Sequence, residues 1–137
     1  MADEQPGEIE PIYLASEDVL GLYGLIIGAT AAEAADHLRN LDGLEGALAR
    51  PATYAHYENA DLALQATVLA HGIAESQLFI DGNKRTALVA MLTFLEINGL
   101  RVNATDPELA GWILSFSAGA RPEDVAKLLR PALLGAE

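Results

Sequence analysis

A chain of 137 residues with 51% hydrophobic side chains can close one core, which excludes an intrinsically disordered protein. Its formal net charge of -12 repels phosphate backbones and anionic membranes, so broad nucleic-acid or lipid-surface binding is excluded as a main function. Without cysteine it has neither a disulfide framework nor a thiolate metal cluster.

Residues 1–11, "MADEQPGEIEP", read as a flexible tail that lacks the basic and apolar regions of a secretion signal. One domain is expected over 12–134. Ser16, ahead of Glu17 and Asp18, reads as a helix start. Val19, Leu20, Leu22, Tyr23, Ile26 and Ile27 form its buried side, and Gly28 stops it. Thr30 and Glu33 have capping-box spacing and open a short alanine-rich helix toward Leu38. "LRNLDGLEGALARP" reads as loop with one helical turn near Leu44 to Ala49, closed by Pro51. From about Ala60 to Ala74 the pattern is helical again, with Leu62, Ala66, Leu69 and Ile73 on one side.

A further helix is expected from about Asn83 to Asn98, stopped by Gly99. Its segment "TALVAMLTFL" is apolar almost all round, which marks the most buried helix of a bundle. The run ends at Glu96, too short to span a bilayer. Thr105 and Glu108 repeat the capping-box spacing before Trp112 and Phe116, and Pro122 opens a last helix that ends near Pro131. The expectation is an all-α, cytoplasmic domain, a bundle of about six helices around a central buried one.

Between the two central helices lies "SQLFIDGNKRTAL". Gly82 can take positive φ and let a ligand approach the backbone. The free N–H groups of the following helix attract negative charge, Lys84 and Arg85 add two cations, and Asn83 can donate from its amide. Asp81 suits such an anion only if a divalent ion sits between them. Phe79 is expected to anchor the loop in the core. A Walker P-loop is excluded, because the required glycine before the lysine is missing. On the residues alone, an ordinary Gly-Asn turn with a solvated ion pair stays open beside the anion cradle.

The stretch "LFIDGNKRTAL" resembles the signature of the Doc branch of the Fic family, His-X-Phe-X-Asp/Asn-Gly/Ala-Asn-Lys-Arg-Thr/Ser-Ala. "GLEGALARP" is similar to the Leu-Glu-Ser-Ala-Leu-Ala-Arg-Pro segment of the same chains. The resemblance implies a Fic fold, with ATP as donor and a protein hydroxyl as acceptor. It further implies a toxin that phosphorylates a threonine of elongation factor Tu and is held in check by a small antitoxin. Longer Fic relatives mostly transfer AMP and carry glycine where this chain has Lys84. By the same resemblance, Asp81 would hold Mg²⁺, and Gly82, Asn83, Lys84 and Arg85 the phosphates.

One position departs from the signature. Gln77 stands where the family has its general-base histidine, and an amide cannot take a proton near neutral pH. General-base catalysis is worth about 10²- to 10⁴-fold, so the resemblance implies impaired transfer. The rival reading is a non-catalytic binder of nucleotide or protein on the same fold, and a second is a helical interaction module. His71, six residues before Gln77, is expected to be a packed helix residue, and His37 and His56 surface residues. Trp112 and Phe116, four apart, read as core.

Overall fold

The computed structural model describes residues 10–135, so most of the expected tail at 1–11 lies outside the described residues. Among them are α1 (Ser16–Ile27), α2 (Ala31–Ala35), α3 (Leu41–Glu58), α4 (Leu62–Glu75) and α5 (Asn83–Ile97). After the short strand β1 (Leu100–Val102) come α6 (Asp106–Ser117), α7 (Pro122–Leu129), a 3₁₀ turn (Arg130–Ala132) and β2 (Leu133–Gly135). The strands pair antiparallel, Leu100 opposite Gly135, and fasten the end of the chain beside α5. The fold is all-helical apart from this clip, and no helix among the described residues is long and apolar enough to cross a membrane.

The capping chemistry is largely as the spacing demands. Thr30 accepts from the Glu33 amide at 3.1 Å while Glu33 accepts from the Thr30 amide at 2.8 Å, and Thr105 with Glu108 does the same for α6. At α1 the work is done differently. Ser16 is already helical, and Asp18 caps by accepting from the Ala15 amide at 2.7 Å. α2 ends at Ala35, short of Leu38, whose residue instead bridges to Phe79.

Two expectations are overturned. The first concerns α3, which runs 18 residues straight through Pro51 where a loop was expected. Its start is fixed by Asn40, whose side chain accepts from the Gly43 amide at 2.9 Å and donates to the Ser76 carbonyl at 3.1 Å. Pro51 is buried, so packing offsets the lost backbone bond. The close partner is α4, where a Cβ on Gly72 would sit 2.8 Å from the Ala47 Cβ. Helices this close need small residues, and "GALA" supplies them.

The second concerns the centre of the bundle. It is α4, not α5, that is most enclosed: ten of its 14 residues are buried, against six of 15 in α5. α4 packs on α3, α5, α6 and α7, so even Gln65 and Thr67 face protein. Gln65 accepts from the Tyr13 hydroxyl at 2.9 Å and donates to the Ala60 carbonyl, and Thr67 donates to the Pro122 carbonyl at 2.9 Å. Those two polar side chains made the α4 stripe look narrower in sequence than it is.

Candidate anion-binding site

The loop from α4 to α5 is fixed from beneath. Phe79 is buried and lies flat on Tyr23 of α1, with ring centroids 3.7 Å apart and planes within 3°. The Tyr23 hydroxyl donates to the Asp81 carbonyl at 3.4 Å. Burial, and then the nearby Asp81 charge, pushes that phenol above its ordinary pKa. Asn83 closes the loop from above. Its amide accepts from the Phe79 N–H and donates to the Phe79 carbonyl, both at 2.9 Å. Its side chain therefore shapes the loop, while its second amide N–H and its main-chain N–H remain uncommitted.

Gly82 then turns the chain at φ 80, a conformation that favours glycine, and a Cβ there would press to 3.3 Å on Tyr23. Thr86 is buried and donates its hydroxyl to the Gly82 carbonyl at 2.8 Å. No side chain caps α5, so the N–H groups of its first turn are left for a ligand.

Beside this loop is a cleft of about 540 Å³. Gln77, Asp81, Gly82, Asn83, Lys84 and Arg85 all line it, so the structure brings together every site residue expected from sequence. The other wall is Ile26 and Ile27 at the end of α1 and Ala74 of α4. Sequence reasoning placed Ile26 and Ile27 in the core, and nothing in their pattern shows that α1 ends at a cleft. Gln77 is exposed at the rim and has a left-handed backbone, φ 55.

Lys84 approaches Glu75 at 3.7 Å, whereas Arg85 makes no ion pair among the described residues. Asp81 is exposed, and no group of three or more metal-ligating side chains occurs among the described residues. A single exposed carboxylate could hold a hard cation only where other oxygen ligands and water completed its shell.

His71 is elsewhere. It lines a separate cavity of about 230 Å³ with Arg50, Tyr54, Val68 and Pro122, its ring edge-on to Phe116 at 5.1 Å. Burial, with Arg50 adding to it, lowers its pKa against the pull of Glu75 and Glu123. His37 and His56 are exposed, and Phe116 is core with Trp112 packed against it.

Fold and site together define a helical domain with two cations and an uncapped helix N-terminus at one cleft. Comparison with known proteins places the chain in a family: residues 13–95, α1 through most of α5, match the Fic/DOC family. The chain is 35% identical over 94 residues to Toxin Doc of Mycolicibacterium smegmatis, covering 67% of this chain and 68% of that one. The chain belongs to the Fic/DOC family.

Proposed function

We propose that this protein is a Doc-like toxin whose cleft takes Mg²⁺-ATP and whose reaction is phosphoryl transfer to a protein hydroxyl, impaired by Gln77. The observation that carries the reading is the convergence of Asp81, Gly82, Lys84, Arg85 and the first turn of α5 on one cleft. An apolar groove of about 240 Å³, formed by Leu88, Ala110, Ile113 and Leu114, shares Lys84 and Arg85 with that cleft. A ligand with an anionic chain and a flat apolar end suits the pair of hollows, which supports a nucleotide.

Bound Mg²⁺-ATP would supply the phosphoryl group. The chain's own part is positioning and charge neutralisation: Lys84, Arg85 and the α5 N–H groups for the phosphates, and Asp81 for the metal. Gln77 would hydrogen-bond the acceptor hydroxyl without taking its proton. Lys84, where longer Fic relatives carry glycine, favours phosphate over AMP transfer. A threonine of elongation factor Tu is the proposed acceptor, a small antitoxin the proposed partner, and the cytoplasm the proposed location.

The non-catalytic binder is the second reading, and Gln77 itself favours it. Calorimetry with Mg²⁺-ATP tests what both readings share. Lys84→Ala should weaken binding about tenfold or more, the worth of one charge-assisted contact of ~1.5–3 kcal/mol. Unchanged affinity in both Lys84→Ala and Asp81→Ala would move the site elsewhere.

A further inference from the structure

Two charges at the cleft stand at the unfavourable ends of their helices. Lys84 is in the first turn of α5, where the N–H groups already carry positive partial charge. Glu75 is the last residue of α4, where the carbonyls are negative. Neither placement helps its own helix, but the two side chains meet at 3.7 Å and each offsets the other. Ser117, the last residue of α6, donates its hydroxyl to the same Glu75 oxygen at 3.2 Å. Three helix ends thus converge on one carboxylate.

The charges of the loop are balanced by this arrangement, with Lys84 and Arg85 against Asp81 and Glu75. A cradle built for a polyanion is therefore neutral until the polyanion arrives. The Lys84–Glu75 contact is also exchangeable. At 3.7 Å it lies beyond a direct hydrogen bond, and the two side chains are 42% and 30% exposed, so water screens it.

We propose that Glu75 is a positioning residue for Lys84, a displaceable counterion that holds the ammonium on the α4 side of the cleft until a polyphosphate takes it over. Glu75 thereby sets the threshold for anion binding. The inference rests on the polyphosphate reading of the cleft and adds to it a residue outside the family signature. Arg85, without an ion pair among the described residues, is the cation that meets the ligand first.

The test is a double-mutant cycle on the full chain, with wild type, Glu75→Gln, Lys84→Ala and the double variant titrated with inorganic tripolyphosphate and with ATP. Glutamine keeps a side-chain oxygen for Ser117, and thermal melts confirm that all four proteins fold. Glu75→Gln should tighten binding about two- to fivefold, the range a screened ion pair supports. The gain should vanish in the Lys84→Ala background. Unchanged or weaker binding in Glu75→Gln overturns the inference. So does an equal gain without Lys84, which would mean a general charge effect. A Lys84→Ala protein that binds both probes as well as wild type overturns the inference alone, whereas a wild type that binds neither probe sinks the polyphosphate reading and takes this inference with it.

Discussion

Replacing Gln77 by histidine alters one exposed side chain at the rim of the cleft and leaves the supports of the loop in place. Those supports are the Phe79–Tyr23 stack, the Asn83 clamp and the Thr86 bond to Gly82. The backbone at position 77 is left-handed, which costs a residue such as glutamine about 1–2 kcal/mol. Histidine is among the residue types enriched in that region, so the exchange suits the conformation. A surface change of this kind should shift stability by no more than about 0.5 kcal/mol. Any large change in activity is then chemical.

An imidazole at the rim can take the proton that an amide cannot. The proposed reaction should accelerate by about 10²- to 10⁴-fold, the usual worth of a general base. The assay uses purified elongation factor Tu with ATP labelled at the γ- or the α-phosphate, so that phosphate and AMP transfer are scored separately. Expression of the histidine variant without an antitoxin should also stop growth. The reasoning is refuted by a Gln77→His protein that folds and binds nucleotide, yet is inert toward every acceptor and harmless in cells.

Asp61 both caps α4 at the Leu64 amide and grips Arg130, at 2.6 and 3.1 Å, so Asp61→Ala should cost about 1–2 kcal/mol in a denaturant melt. Gly72→Ala should destabilise by about 1–3 kcal/mol, because the new methyl meets Ala47 at 2.8 Å; a neutral result would mean that α3 and α4 are not so close. Burial holds the His71 imidazole below its ordinary pKa, so the unfolded chain binds that proton more readily. Its contribution to stability is complete above the unfolded value of about 6.5 and is lost as pH falls through the lowered folded value. His71→Leu should flatten that part of a stability–pH curve, and an unaltered slope would count against burial as the cause.

The helix ends were readable wherever a local rule governs them, at Gly28, Thr30, Gly99 and Thr105. The loop was readable because its chemistry is contiguous: Gln77 and Asp81 to Arg85 all lie within nine residues. Contacts across the fold were not. Pro51 signals a helix end locally, but its burial within a continuing helix overrides it. Tyr23 under Phe79, and Ile26 and Ile27 across the cleft, are separated from the motif by some fifty positions in sequence, and no periodicity links them. Asn83 read as an anion donor, and nothing local in the sequence shows that its side chain also closes the loop on Phe79. Glu75 was next to the motif all along, and its position at a helix C-terminus, opposite in charge to what the dipole favours, was the signal for it.

Anion binding by a chain with a net charge of -12 requires that the local field win over the global one. Charges farther away than about 8 Å are largely screened at physiological ionic strength, so most of the acidic surface is not felt in the cleft. What is felt is Lys84 and Arg85 set against Asp81 and Glu75, so the uncapped turn of α5 tips a nearly neutral cleft toward anions, on a loop held by apolar and neutral groups. The cations carry none of the loop's support, since Phe79, Tyr23, Asn83 and Thr86 supply it. Exchanges at the cations should therefore change the proposed binding without unfolding the chain. Lys84 or Glu75 can be exchanged to tune affinity on an intact loop, while loss of the Phe79 ring would deform the cradle with every charge still present.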